Sequence, residues 1–154
     1  MELANELSRA YRVIIFTHAE ENNSLKLDEQ IEVRRWPSPR PTKMEDMFFL
    51  RKMIRKYRPQ VMISNFAAVN IFLILGFLYK VPQRVAWYHT LYSQLEKNTM
   101  LKLRKRINYK LATNIIANSA ASKNDLVKNF GVGECKVAFV YNALKQKDFE
   151  NTGD

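Results

Sequence analysis

The sequence contains a single cysteine, Cys135, and this scarcity limits the chemistry that the chain can perform. One cysteine cannot form an internal disulfide bond, which fits a reducing compartment. One cysteine and two histidines also cannot supply a tetrahedral zinc site made from the usual nitrogen and sulfur ligands. The sequence therefore predicts no metal centre.

Glycine is scarce as well, with four residues in a chain of 154. No Gly-x-Gly-x-x-Gly fingerprint occurs, and no glycine-rich loop ends in Lys-Ser or Lys-Thr, so the common phosphate-cradling loops are missing. No nucleophile elbow of the Gly-x-Ser-x-Gly type occurs either. We therefore expect this chain to hold no cofactor by itself.

Long hydrophobic runs are also missing. The longest, residues 71–79, is far shorter than the roughly 20 residues that a membrane-spanning helix needs. The first residues are polar and helix-like, and they lack the pattern of a secretory signal. These features favour a cytoplasmic location.

The composition nevertheless supports a folded and strongly basic domain. A length of 154 residues suits one domain, and a hydrophobic fraction of 47% is enough for a packed core. We assign residues 1–150 to this domain and residues 151–154 to a tail. The formal net charge of +10 implies attraction to phosphate ligands, nucleic acid or an anionic membrane surface.

Patterns typical of strands alternate with patterns typical of helices along the chain. The strand patterns cover residues 12–17, 31–36, 61–64, 84–90, 114–117 and 136–140. The helix patterns cover residues 1–9, 43–57, 67–79, 95–112 and 119–130. This alternation predicts an α/β fold, a Rossmann-like doubly wound parallel sheet with helices on both faces.

Polar side chains follow several of these strands at their carboxyl ends, where open α/β sheets bind their ligands. His89 and Thr90 end the strand at residues 84–90, and we expect them to face a cleft. The further candidates are Ser64, Asn65, Asn118, Ser119 and Asn142. Each has a plain structural alternative, because a histidine can be satisfied by a nearby carbonyl and serine or asparagine often only caps the next helix.

The predicted helix at residues 95–112 is amphipathic and basic. Its apolar face is marked by Met100, Leu103, Ile107 and Leu111. Its cations are Lys102, Arg106 and Lys110 on the opposite side, with Lys105 beside them. Such a face could bind the phosphates of lipids or nucleic acid, although a run of charges is more often a solvated surface.

Several short motifs, in the same order, resemble the GT-B glycosyltransferases of the glycosyltransferase 4 type. Residues 115–126 form a strand that ends in Asn118-Ser119 and leads into a helix of the Ser-x-x-x-Lys-x-Asp-Leu kind, followed by Phe-Gly-Val at residues 130–132. Residues 3–17 resemble the first helix and second strand of that family, and residues 54–61 resemble its step of helix, proline and strand.

Residues 87–90, Trp-Tyr-His-Thr, resemble the strand end that carries an acceptor-side histidine in the family. One motif departs from the pattern: the family usually has Pro-Asn-Gly where this chain has Tyr141-Asn142-Ala143. Phe149 matches the aromatic residue that usually follows.

The resemblance implies one half of a two-domain enzyme. In the family, an N-terminal Rossmann-like domain binds the acceptor, and a C-terminal one binds a nucleotide-sugar donor. This chain resembles the N-terminal domain only, without the first strand, which lies in the middle of the sheet in the family. We therefore expect a truncated domain with open strand edges, suited to pairing with another chain or with a second copy.

The resemblance also implies a reaction and a role for each candidate residue. The complete enzyme would transfer a sugar from a nucleotide-sugar donor to an acceptor hydroxyl with retention, and this chain alone would be inactive. His89 would be catalytic, and Asn142 would lie at the interdomain linker. The acceptor would be bound by Thr90, Ser64, Asn65, Asn118 and Ser119. The anionic surface would be contacted by Lys102, Lys105, Arg106 and Lys110.

The expected partners are the missing donor domain or a partner chain, together with an anionic membrane at which the chain would lie peripherally. Two other functions stay open. The chain could be a basic nucleic-acid-binding module, with steeply salt-dependent affinity. It could also be a non-catalytic subunit that pairs with a separate donor-domain chain.

Overall fold

The computed structural model of the chain describes residues 2–17, 27–39, 41–65, 68–88 and 99–140. The helices in these ranges are α1 (Glu2–Ser8), α2 (Met44–Tyr57), α3 (Val69–Leu78), α4 (Thr99–Lys110) and α5 (Ala120–Phe130). The strands are β1 (Ile14–Thr17), β2 (Glu32–Arg35), β3 (Val61–Ser64), β4 (Gln83–Tyr88), β5 (Asn114–Ala117) and β6 (Val137–Phe139).

Every strand pair in these ranges is parallel, so the predicted α/β fold with parallel strands is confirmed. β1 pairs with β2 in one sheet, and a second sheet has the order β3-β4-β5-β6. Parallel neighbours need a crossover, and the described parts of the crossovers between β3 and β6 contain α3, α4 and, before β6, α5 followed by a short 3₁₀-helix at Glu134–Lys136. Because β4 lies between β3 and β5 in the strand order, the strand that leads to His89 lies inside the larger sheet.

The ends of α2 and α5 follow from specific residues. The backbone N–H of Lys43 donates to the Asp46 carboxylate at 2.9 Å, which satisfies a donor that the first turn of α2 leaves open. Pro59 blocks continuation of the same helix after Arg58, whose φ is 47°. α5 ends at Gly131 with a φ of 63°, a conformation that glycine adopts without a steric penalty.

Helices α2 to α5 contact one another in chain order and cover two apolar clusters. The first cluster lies beneath α3, α4 and α5 and includes Leu73, Tyr88, Tyr109, Ile115, Leu126 and Phe130. The second lies beneath α2 and α3 and includes Trp36, Leu50, Ile54, Met62, Phe72 and Leu75. The first cluster contains Tyr88 of β4 and Ile115 of β5, so it fixes both strands beneath the helices and holds the carboxyl end of β4 in place.

One strand is less buried than its sequence predicts. The apolar run at residues 61–64 favours a strand covered on both faces, but the burial of β3 alternates. Met62 and Ser64 are buried, whereas Val61 is 49% and Ile63 is 37% exposed. The prediction of a fully buried strand is wrong because the helix layer covers one face of β3 only, and periodicity over four residues cannot reveal that.

The two sheets lie close together without being joined. Within the described ranges, no ladder connects β1 or β2 to β3. The aromatic rings of Phe16 in β1 and Trp36 after β2 lie 6.2 Å and 5.9 Å from the ring of Phe72 in α3. Because α3 also packs on β3 and β4, the same helix bridges both sheets.

Candidate functional site

The carboxyl ends of the four strands in the larger sheet lie along one edge. Tyr88 ends β4 beside Ala117 at the end of β5, and Ala117 lies beside Phe139 at the end of β6. Ser64, at the end of β3, pairs with Ala86 two residues before the end of β4. This register brings four predicted site residues to the same edge: Ser64, Asn65, Asn118 and Ser119.

His89 and Thr90 come directly after Tyr88 in sequence, but they lie outside the described residues, and so does Asn142. The end of β4 fixes where the chain leaves the sheet on its way to His89. Tyr88 is 1% exposed and sits between β3 and β5 in the strand order. The assignment of His89 to this edge therefore stays a prediction that starts from a well-defined strand end.

Ser64 and Asn65 differ in how much of each residue an incoming ligand could reach. Ser64 is buried, and its hydroxyl donates to the carbonyl oxygen of Val85 at 3.2 Å, across the pair β3–β4. Asn65 is exposed, and its backbone carbonyl accepts from the N–H of Ala68 at 3.3 Å, where α3 begins. Asn65 is thus the more accessible of the two.

Ser119 caps α5, and Asn118 precedes it. The Ser119 hydroxyl oxygen accepts from the backbone N–H of Ser122 at 3.1 Å, in the geometry preferred at a helix start. The Ser122 hydroxyl in turn donates to the side-chain carbonyl of Asn118 at 3.0 Å. The capping alternative is therefore realised for Ser119, and the contact with Ser122 orients the Asn118 side chain beside it.

A hydrogen-bonded pair beneath the edge, made by the buried Tyr88 and the half-buried Asp125, was not predicted from the sequence. The Tyr88 hydroxyl donates to Asp125 in α5 at 2.5 Å, and Asp125 also accepts from the Asn129 side chain at 2.6 Å. Burial, together with the neighbouring Asp125 carboxylate, raises the pKa of Tyr88. Tyr88 is therefore a neutral donor that fixes the strand end leading to His89.

Two further aromatic rings surround this pair. Tyr109 and Phe130 meet the Tyr88 ring edge to face, with centroids 5.5 Å and 6.0 Å away. Burial, with a smaller effect of the Asp125 charge, raises the pKa of Tyr109 to about 12. Tyr88 and Asp125 are 37 positions apart. The sequence offers one indication that Tyr88 faces the helices. Side chains alternate between the two faces along β4, so Tyr88 lies on the same face as Ala86.

The four predicted anionic-surface cations of α4 divide into two pairs. Arg106 and Lys110 are exposed, whereas Lys102 and Lys105 are half-buried. Burial, with the charge of neighbouring Arg104, lowers the pKa of Lys105. Two of the four predicted residues are thus fully open to an anionic ligand, and the assignment of all four stays a prediction.

Two further features of the described residues bear on metal binding and on membrane insertion. Within the described ranges, no group of three or more His, Cys, Asp or Glu side chains could hold a metal ion. Among the described helices, none is long and apolar enough to cross a bilayer.

A parallel α/β sheet with polar residues gathered at its carboxyl edge defines a Rossmann-like domain. The chain belongs to Glycosyltransferase Family 4, whose family model matches residues 1–145. The resemblance predicted from short motifs is therefore confirmed, and the chain's function is of the glycosyltransferase type. A comparison with curated proteins finds no match.

Proposed function

We propose that this chain is the acceptor side of an enzyme that transfers a sugar from a nucleotide-sugar donor to an acceptor hydroxyl. The observation that supports the proposal best is the family match over residues 1–145, on a sheet whose carboxyl edge gathers polar residues. The attacking hydroxyl has to be held within about 3.5 Å of the reacting carbon. Positioning that hydroxyl is the task we assign to this edge.

We assign His89 as the catalytic residue, which orients the acceptor hydroxyl or contacts the transferred sugar. Thr90, Asn65 and Asn118 contribute hydrogen bonds to the acceptor, and Asn118 uses its amide nitrogen because Ser122 occupies its carbonyl oxygen. Ser64 and Ser119 support this set as buried and capping residues at the same edge. Asn142 lies at the linker toward the donor-binding side.

The donor nucleotide-sugar is bound by a partner, either a further domain or a separate chain. This division makes the isolated chain inactive, because an acceptor alone cannot react. The open strand edges support a partner: no ladder joins β3 to the β1–β2 sheet within the described ranges. An unpaired edge is a template for another strand. The same edges also favour the second candidate, a non-catalytic subunit, and pairing with a second copy.

A peripheral position at an anionic membrane completes the proposal. The chain has a formal net charge of +10, and Arg106 and Lys110 are exposed on α4. Each cation near an anionic bilayer strengthens binding, so a basic surface raises the local concentration of the protein there.

A reconstitution assay tests this function. The chain is incubated with a panel of nucleotide-sugars and a membrane lipid extract, alone and together with a separately produced donor domain of the family. We expect transfer only in the mixture, and a loss of about 100-fold or more with His89→Ala. Cys135→Ser, an exposed change, is the matched control. Turnover of any nucleotide-sugar by the chain alone contradicts the proposed division of labour.

A further inference from the structure

Helix α4 exposes a row of large apolar side chains. Met100 is 75%, Leu103 is 50% and Ile107 is 54% exposed. Spacings of three and four residues place the three side chains on one face of the helix. The buried residues of α4, Asn108 and Tyr109, lie on the other side, where Asn108 donates to Asn70 of α3 at 2.8 Å. The amphipathic pattern of α4 is therefore real, but much of its apolar face points away from the core.

Cations flank this apolar row on both sides. At about 100° per residue, Arg104 falls on one flank of the row, and Lys110 and Arg106 fall on the other. All three are exposed. α4 carries no aspartate or glutamate, so no acidic side chain of the helix offsets these charges. An apolar row between exposed cations is the arrangement of a helix that lies in the interface of an anionic bilayer.

The apolar row borders a cavity of about 480 Å³. The described residues that line this cavity are Met100, Leu103 and Ile107 of the row, together with Leu101, Arg104 and Asn108. A lining that is largely apolar and carries a cation suits acyl chains below a phosphate layer.

Charge argues against the other occupants of this surface. A second copy packed through α4 would bring two sets of cations face to face, and like charges across an interface disfavour association. A nucleic acid would use the cations, but it would leave the three apolar side chains in water. An anionic bilayer satisfies both groups at once.

We infer that α4 is a membrane-surface helix, with Met100, Leu103 and Ile107 inserted below the headgroups of anionic lipids and Arg104, Arg106 and Lys110 on their phosphates. This inference deepens the membrane position proposed above and does not depend on sugar transfer. α4 runs back along the sheet from its carboxyl side to its amino side.

Flotation with lipid vesicles tests this inference on the full chain. The vesicles consist of phosphatidylcholine with or without phosphatidylserine. We expect binding about tenfold or more stronger to the anionic vesicles, from two or more cations near the surface. The double variant Leu103→Gln, Ile107→Gln is expected to bind the anionic vesicles about tenfold more weakly, without a change in charge. The double variant Arg104→Gln, Lys110→Gln is expected to bind them about twentyfold more weakly. All these side chains are exposed, so the far-ultraviolet circular dichroism spectrum stays that of the wild type.

Leu3→Gln on α1 is the matched control, because Leu3 is 47% exposed on a helix away from α4 and the change should leave vesicle binding unaltered. Wild-type vesicle binding by the Leu103–Ile107 variant would overturn the inference. So would a dimer in sedimentation that this variant abolishes while anionic vesicles bind nothing. Oligonucleotide binding lost with the charge variant, in place of vesicle binding, would overturn it as well. Vesicle binding is measured without donor or acceptor, so its failure is distinct from failure of the proposed transfer reaction.

Discussion

Tyr88 fixes the last position of the central strand through its hydrogen bond to Asp125. The hydroxyl lies in a buried aromatic cluster, where an unsatisfied polar group is costly. Because His89 is the next residue, the position of this ring sets where the chain enters the proposed site. The Tyr88–Asp125 pair therefore stabilises the fold and also sets the position of the residue that follows, His89.

Replacing Tyr88 with phenylalanine should lower the free energy of unfolding by about 1–2 kcal/mol, because Asp125 loses a charge-assisted hydrogen bond while the ring packing stays. Urea unfolding followed by circular dichroism measures the change. Tyr57→Phe is the matched control: it removes a hydroxyl that donates to Glu32 at 2.6 Å in a more solvated place, and it should cost less. Equal losses for the two variants would show that burial of the Tyr88 pair adds nothing.

Glu32 makes the stability of the chain depend on acid pH. Hydrogen bonds from Tyr57, Arg12 and Arg34 lower the pKa of Glu32 from 4.5 to about 2. The unfolded chain thus takes up this proton at a higher pH than the folded chain. The stabilisation is complete above pH 4.5 and is lost as the pH falls through about 2.

Glu32→Gln should therefore flatten the decline of the unfolding free energy between about pH 5 and about pH 2. Urea titrations of wild type and variant at several pH values measure the two slopes. Glu6→Gln, an exposed change on α1, serves as the matched control and should keep the wild-type slope. If the unfolding free energy of the Glu32→Gln variant fell with pH as steeply as that of the wild type, Glu32 would not be the source of the acid dependence.

At the residue scale, the sequence predicted which residues lie at the carboxyl edge of the sheet better than it predicted what each of them does there. Asn65, Asn118 and Ser119 were correctly expected beyond strand ends, because polar residues after apolar runs mark those ends. The cap formed by Ser119 was accessible to sequence reasoning because Ser122 lies only three residues away, whereas the hydrogen bond from Ser64 to Val85 depends on a partner that folding brings near. The Tyr88–Asp125 pair links two elements and escaped for the same reason.

Among the elements, α5 is delimited by a serine at one end and a glycine at the other. Gly131 has a φ of 63°, and a Cβ built on it would lie 3.1 Å from the Arg106 guanidinium. Gly131→Ala should cost about 1–2 kcal/mol of unfolding free energy, because the left-handed backbone crowds a Cβ atom. Gly133→Ala is the matched control, with a φ of −62° and its nearest atom 3.8 Å away. It should be neutral or slightly stabilising. Equal destabilisation by both changes would contradict this explanation.

Helices α2 and α5 were predicted to within about one residue, because Pro59 and Gly131 mark their ends. The direction in which the apolar row of α4 points was not predictable. Periodicity shows that a helix has an apolar face, but which face meets the core depends on the neighbouring elements. Here α3 meets α4 through the Asn70–Asn108 side-chain pair, and Met100, Leu103 and Ile107 remain outside.

At the scale of the whole molecule, the alternation of strand and helix correctly predicted parallel pairing. The burial of each strand depends on which elements cover its two faces. The sequence pattern does not contain that information, and β3 illustrates this. Its outward residues Val61 and Ile63 remain exposed although both are apolar. The separation into two sheets leaves strand edges that we propose as the place where a partner chain or a second copy pairs.

The role that we propose for the carboxyl edge of the larger sheet is to bind the acceptor and not the donor. An amide NMR titration of the full chain with candidate hydroxyl acceptors and, separately, with nucleotide-sugars measures this binding. We expect an acceptor to shift the amides of Asn65, Asn118 and Ser119, while nucleotide-sugars leave them unchanged. Shifts confined to the opposite edge, at Val61, Gln83 and Asn114, or tighter binding of a nucleotide-sugar at the carboxyl edge, would contradict it.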